Sequence, residues 1–176
     1  LAVVVGFEDS NQTTITNGSN ASSDDSSAGS GAVYVYTRSG TNWSQEAYIK
    51  AVNSDTGDNF GNFVSVYDNT LAVGSYDDSN QTTITNGNTA STNNSNNSSG
   101  ALYVYTRSGT NWSQEAYIKA VNNDANDWFG FVAIDNNTIV VSTVGEDSNQ
   151  TTITNGATAS SDNSYSYSGA VYVYLR

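Results

Sequence analysis

The chain contains no cysteine, no histidine, no proline and no methionine, and only five of its 176 residues are basic. Without cysteine, neither a disulfide framework nor a thiolate metal site can be built. Without histidine, the commonest general base and transition-metal ligand is missing. Five basic residues against seventeen acidic ones give a net charge of −12. Phosphate backbones and anionic membranes are repelled by such a surface, so no nucleic-acid partner is expected. Long apolar runs are also lacking: none approaches the roughly 20 residues of a membrane span, so no membrane insertion is expected. Leu1 to Gly6 is too short, and lacks the basic flank, for the apolar part of a signal peptide. A start inside an apolar run implies a processed chain or a piece of a longer one. The abundant Ser, Asn, Thr and Asp suit a secreted or cell-surface protein.

What the chain does have is repetition. The decamer DSNQTTITNG runs unchanged from Asp9 to Gly18, from Asp78 to Gly87 and from Asp147 to Gly156, 69 residues apart each time. Gly31, Gly100 and Gly169 open GAVYVY, GALYVY and GAVYVY. TRSGTNWSQEAYIKAVN occupies both Thr37 to Asn53 and Thr106 to Asn122, and each copy leads into an FG pair, Phe60-Gly61 and Phe129-Gly130. A unit reads as four short strands: EAYIKA, then FGNFVSVYD or FGFVAID, then the LAVVVG-type run, then GAVYVY. All are rich in β-branched and aromatic residues and bounded by Gly, Asn, Asp or Ser. In GAVYVY both faces are apolar or aromatic, which fits a sheet covered on both sides by stacked neighbours. No stretch has a helical period. The predicted fold is all-β, with tandem four-stranded antiparallel blades of β-propeller type in about 2.5 units of 69 residues. The units divide as 1–36 (a half blade), 37–105 and 106–176.

The order W-x-x-x-A-Y-I-K-A, D-x-F-G, L-A-V-G, S-G-A-V-Y-V-Y resembles bacterial FG-GAP repeats, the type that builds the β-propeller of integrin α-subunits. The resemblance spans nearly the whole chain and implies propeller blades with calcium-binding loops. The chain departs from the family pattern where Gly-Ala-Pro is expected, having Gly6-Phe7-Glu8, Gly74-Ser75-Tyr76 and Ser142-Thr143-Val144. Closed propellers need at least about four blades, so this chain alone does not close a ring. The rest of a longer chain, other copies in a ring, or copies pairing edge to edge in a filament would complete it.

Some 22 residues, such as Asp9 to Ser30, separate the third and fourth strands, and a loop of that length is usually functional or disordered. Its second half drifts between copies while the decamer does not. Glu8, Asp9, Asn11 and Thr13 set carboxylate, amide and hydroxyl oxygens along the loop. The same set recurs as Asp77, Asp78, Asn80 and Thr82, and as Glu146, Asp147, Asn149 and Thr151. Such oxygens suit a hard cation of calcium type, with six to eight oxygen ligands. Asp24, replaced by Asn93 and Asp162 in the other copies, is a further candidate ligand. The same residue types also cap turns through their own backbone, with TTIT as a short extra strand pinned by Ile15, Ile84 or Ile153. A second set, Asn53, Asp55 and Asp58, repeated as Asn122, Asp124 and Asp127, resembles half an Asp-box turn. It reads first as a structural turn and second as a metal site.

Tyr34, Tyr36, Tyr103, Tyr105, Tyr172 and Tyr174 fall at strand spacing and read as core, with Trp43 and Trp112 covering blade ends. Tyr165 and Tyr167 stand in the variable loop of the last unit alone and are candidate contact residues. N-x-[ST] triplets at Asn11, Asn42 and Asn111 leave glycosylation open. Catalysis by carboxylates wants one asymmetric pair with separated pKa values, whereas every acidic cluster here repeats, so no enzyme is expected. The expected function is a calcium-stabilised extracellular or cell-surface module for adhesion or protein contact, with a surface protein or glycan as partner. The alternatives are a filament subunit and a lectin-like module.

Overall fold

The computed structural model describes residues 2–176; Leu1, the first residue of the LAVVVG run, lies outside the described residues. The described residues form strands, turns and loops, with no helix. Strands β1 (Ala2–Gly6), β2 (Ile15–Asn17), β3 (Ala32–Ser39) and β4 (Asn42–Ile49) make a first sheet in the order β1-β3-β4-β2. A second sheet contains β5 (Phe63–Tyr67), β6 (Thr70–Ser75), β7 (Ile84–Asn86), β8 (Ala101–Ser108) and β9 (Asn111–Ile118), ordered β5-β6-β8-β9-β7. A third holds β10 (Phe131–Asp135), β11 (Thr138–Thr143) and β12 (Ala170–Leu175), in that order. Every pairing is antiparallel. The second sheet is thus a full four-stranded blade, with β7 added to its far edge from the long loop.

Sheet and sequence repeat are out of phase. NWSQEAYI, the first strand of unit 37–105, is β4, and it pairs with β3 of the unit before. The cause is local. Only Gly40 and Thr41 separate Ser39 from its partner Asn42, and Gly40 takes the positive φ of 62° that so short a hairpin needs. A thirteen-residue connection leads on to β5, so β4 folds back on β3 and leaves β5 to start the next sheet. The β8–β9 hairpin repeats this with Gly109, φ 63°.

Both hairpins carry a bulge at the same place. Val35 pairs with Ala47 and Tyr36 with Gln45, which leaves Glu46 as the extra residue; Val104, Ala116, Tyr105 and Gln114 leave Glu115. A bulge re-aims its side chain, and here it turns the glutamate toward the following sheet. Glu46 accepts hydrogen bonds from the Arg107 guanidinium at 2.7 Å and the Trp112 indole at 2.9 Å, and Glu115 pairs with Arg176 at 2.7 Å.

The middle sheet is buried on both faces, as the doubly apolar GAVYVY pattern predicts. Tyr103, Tyr105 and Tyr117 pack with Val33, Val35 and Ile49 of the first sheet. Leu102, Val104 and Ile118 pack with Ile139 and Val141 of the third. Strands β5 and β10 meet side by side: the Phe63 and Phe131 rings are centred 3.9 Å apart, and the Ile134 N–H donates to Ser65 Oγ. The glycine that opens GAVYVY is set by the FG pair. A Cβ on Gly31 would lie 2.2 Å from the Phe60 carbonyl oxygen, and one on Gly100 2.1 Å from that of Phe129.

Candidate functional site

The long loops gather at one end of the sheets, and the decamer wires them residue by residue. Asp9 Oδ1 accepts the Gly29 N–H at 2.8 Å across the loop, and Asp78 and Asp147 do the same for Ser98 and Tyr167. The three donor residues, Gly29, Ser98 and Tyr167, have φ of 66°, 51° and 57°, a left-handed bend that the repeated carboxylate holds in place. Ser10, Ser79 and Ser148 each take the N–H two residues on, the local bond expected of serine in a turn. Gln12 bridges Thr14 and Thr16 with its amide, as Gln81 and Gln150 bridge theirs. Ile15 and Ile84 start β2 and β7, so the short extra strand forms in two of the three copies.

Beneath each decamer lies the acid that precedes it by one residue. Glu8 meets the Lys50 ammonium at 2.8 Å, and the same ammonium donates to Ser30 Oγ at 2.7 Å. One unit on, Asp77 meets Lys119 at 3.1 Å, and Lys119 donates to Ser99 Oγ at 2.7 Å. The serines in turn donate to the backbone on either side of the decamer's first turn. Both lysine side chains are fully buried. Asp77 also accepts from Tyr117, Tyr103 and Asn53. Burial lowers the Lys119 ammonium from its ordinary value while Asp77 opposes the shift. Such a centre is held because removing either partner strands a buried charge.

This arrangement decides what the oxygen-rich loops can hold. Calcium needs six to eight converging oxygens, and several of the carboxylates proposed for it are engaged by other partners. Glu8 and Asp77 face lysine ammonium groups; Asp9, Asp78 and Asp147 face backbone N–H groups. Asn11, Asn80 and Asn149 are tied through their backbone N–H to Asp24, Asn93 and Asp162, while Thr13, Thr82 and Thr151 lie exposed. Hydrogen bonds from Ser26 and Ser164 hold the Asp24 and Asp162 carboxyls below their ordinary value. Among the described residues no three Asp or Glu side chains converge as a metal-holding group. In the first two loops the acid before the decamer is therefore neutralised by a lysine ammonium group rather than left free.

The second candidate set forms turns. Asp58 Oδ2 accepts the Asp55 N–H at 2.9 Å, and Asp127 Oδ2 accepts that of Asp124 at 2.8 Å. Gly57 and Asn126 both have positive φ, so the Gly-to-Asn change between copies keeps the left-handed residue that asparagine tolerates. The Asp58 carbonyl accepts Ser75 Oγ, and that of Asp127 accepts Thr143 Oγ1. Hydroxyls thus brace the turn at the positions where the family pattern has Gly-Ala-Pro. Burial, with Asp77 next in effect, pushes the Asp58 carboxyl up to about 8, and burial pushes Asp127 up to about 6. Asn53 links the two layers, donating to Asp77 and to the Ser91 carbonyl while accepting from Tyr103; Asn122 does so with Glu146, Ser160 and Tyr172.

Lys50, Lys119, Ser30 and Ser99 were not among the candidates. Their signal was present: a lysine at the end of EAYIK, an otherwise apolar strand, asks for a buried acid. Tyr165 and Tyr167 are each 67% exposed, with Tyr167 beside Trp128, their ring centres 6.2 Å apart. Trp112 is buried, whereas Trp43, in an identical strand, is 54% exposed with the Arg38 guanidinium over its ring.

Four-stranded antiparallel blades, stacked with a 69-residue period and stitched by a bulged glutamate, define a β-propeller-type repeat protein. A family model described as FG-GAP repeat matches residues 43–105 and 112–157, more than half of the chain. The chain belongs to the FG-GAP repeat family. Membership points to a module for protein–protein contact, in a family that is generally non-enzymatic. Neither a curated protein nor a solved structure matches the chain. Among the described residues no helix is long and apolar enough to cross a membrane.

Proposed function

We propose that the chain is a non-enzymatic, extracellular contact module whose loops are ordered without calcium. The observation that supports this is the lysine ammonium bound between the acid and serine of the first two loops. It supplies, from within the chain, positive charge against the acid at the start of the loop. The remaining loop surface repeats the same exposed Asn and Thr groups in every unit, and a repeated surface engages a repeated partner with avidity. Adhesion is the role that such a surface serves best. Thermal unfolding in millimolar calcium and again in excess chelator tests the reading. The expected result is the same Tm within about 1 °C, because a ligand that binds only the native state raises Tm. A rise of about 5 °C or more with calcium would restore the metal-dependent module.

A second reading, a filament subunit, is favoured by one observation. The outer face of the third sheet leaves Val171, Val173 and Leu175 exposed by 64%, 63% and 82%. Leu102 and Val104, which stand 69 residues before the two valines, are buried against a neighbouring sheet.

A further inference from the structure

In the first sheet β4 lies between β3 and β2, and in the second β9 lies between β8 and β7. Ile49 pairs with Val33 on one side and Ile15 on the other, and Ile118 pairs with Leu102 and Ile84. The third sheet has β12 at its edge with no strand beyond it among the described residues. There the chain keeps the other two sides of the same slot. Between β12 and the last long loop runs a groove of about 790 Å³, lined by Glu146, Ile153, Ala159, Gly169, Val171 and Val173 among others.

Two further observations mark the groove as a strand's place. Ile153-Thr154-Asn155 has the sequence of β2 and β7, yet it is not a strand, and Ile153 is 91% exposed. Its partner is what differs. Glu146, the counterpart of Glu8 and Asp77, is buried to 4% exposure and is bound only by neutral donors, the Asn122 amide and the Ser148 N–H. Ser168 makes the two backbone bonds that Ser30 and Ser99 make, but no ammonium group reaches it. An acid and a hydroxyl are set for a cation that the other two units receive from the last residue of EAYIK.

We propose that the free edge of β12 accepts one more antiparallel β-strand bearing the repeat's own sequence N-W-S-Q-E-A-Y-I-K, carried by a further repeat of this type. Its backbone pairs with β12 on one side and draws 153–155 into a strand on the other. Its isoleucine fills the space between Val171 and Ile153, and its lysine closes on Glu146 and Ser168. Strand addition of this kind takes affinity from backbone bonds and specificity from the alternate side chains. The inference rests on the contact-module reading and gives that module a partner; it does not involve calcium.

The test uses the 176-residue chain and a dye-labelled peptide TNWSQEAYIKA, the sequence of both 41–51 and 110–120. Fluorescence anisotropy follows binding, and amide hydrogen exchange locates it. The expected result is saturable binding, slowed exchange in β12 and at 153–155, and an affinity at least about tenfold weaker for a peptide with norleucine in place of lysine. In Glu146→Gln protein the two peptides should differ much less. Equal affinity of both peptides for the unaltered protein, or protection elsewhere, would overturn the proposal. So would no binding at millimolar peptide while β8 and β9 exchange slowly, with the module itself left intact. Fast exchange in β8 and β9 would instead remove the blade, and the contact-module reading with it.

Discussion

Asp58 is a carboxyl that the fold keeps away from water and close to Asp77. Its folded-state pKa of about 8 stands above the ordinary value of 3.8 for an aspartate, so folding favours the protonated acid. The stability this contributes is complete below the unfolded pKa and is lost as pH rises toward 8, with Asp127 acting in the same direction up to about 6. Thermal unfolding from pH 5 to pH 9 should therefore show a falling Tm, and Asp58→Asn, which keeps an oxygen for the Asp55 N–H, should flatten the fall by about 5 °C or more. An unchanged pH profile in the variant would mean that Asp58 is hydrated and ionised. The same position was legible in the sequence as a turn former, because Asp three residues after Asp is a local pattern. Its burial was not legible, because it depends on Ser75, Tyr76 and Asp77, which stand 17–19 residues further along the chain.

At the level of elements, β4 and β9 carry one sequence, NWSQEAYI, in two environments. Trp112 of β9 lies against the first sheet, its indole donating to Glu46 and its backbone N–H donating to Asn17 Oδ1. Trp43 of β4 has no sheet before it among the described residues. Trp112→Ala should cost about 3–5 kcal/mol of unfolding free energy in urea, and Trp43→Ala less than about 1 kcal/mol. Comparable losses from the two would mean that Trp43 is packed in solution. The strands of the repeat were read from alternation and β-propensity, whereas the TTIT strand stood only as the alternative to a metal loop and forms as β2 and β7 but not at 153–155. What periodicity did not reveal is their grouping: the Gly40-Thr41 turn sends β4 back to β3, and the sequence unit therefore ends in the middle of a sheet.

For the whole molecule, the scarcity of basic residues acquires a meaning. Lys50, Lys119, Arg107 and Arg176, four of the five, each pair with an acid. Two close loops and two stitch one sheet to the next, so the cations are spent inside the architecture and the outer surface is left acidic. The exposed valines of the third sheet test whether copies stack. If they do, sedimentation velocity should show association that grows with concentration, and Val173→Asp should abolish it while leaving Tm within about 2 °C, since the side chain is already 63% exposed. A single species at every concentration would rule out the filament reading.

The all-β fold, the 69-residue period, the strands and the family were determined by the sequence itself. Each rests on local chemistry repeated along the chain: alternation, turn glycines and the FG pair. The invariance of DSNQTTITNG was equally plain, but its meaning depended on atoms far apart in sequence. Of the acids proposed as metal ligands, Glu8 and Asp77 face Lys50 and Lys119, each 42 residues further along the chain. Only the folded chain brings acid, serine and ammonium to one point, because the hairpin after each of the first two long loops returns the lysine that follows it beneath that loop. The same dependence leaves Ile153 exposed where Ile15 and Ile84 form strands: identical residues take the structure that their neighbours complete.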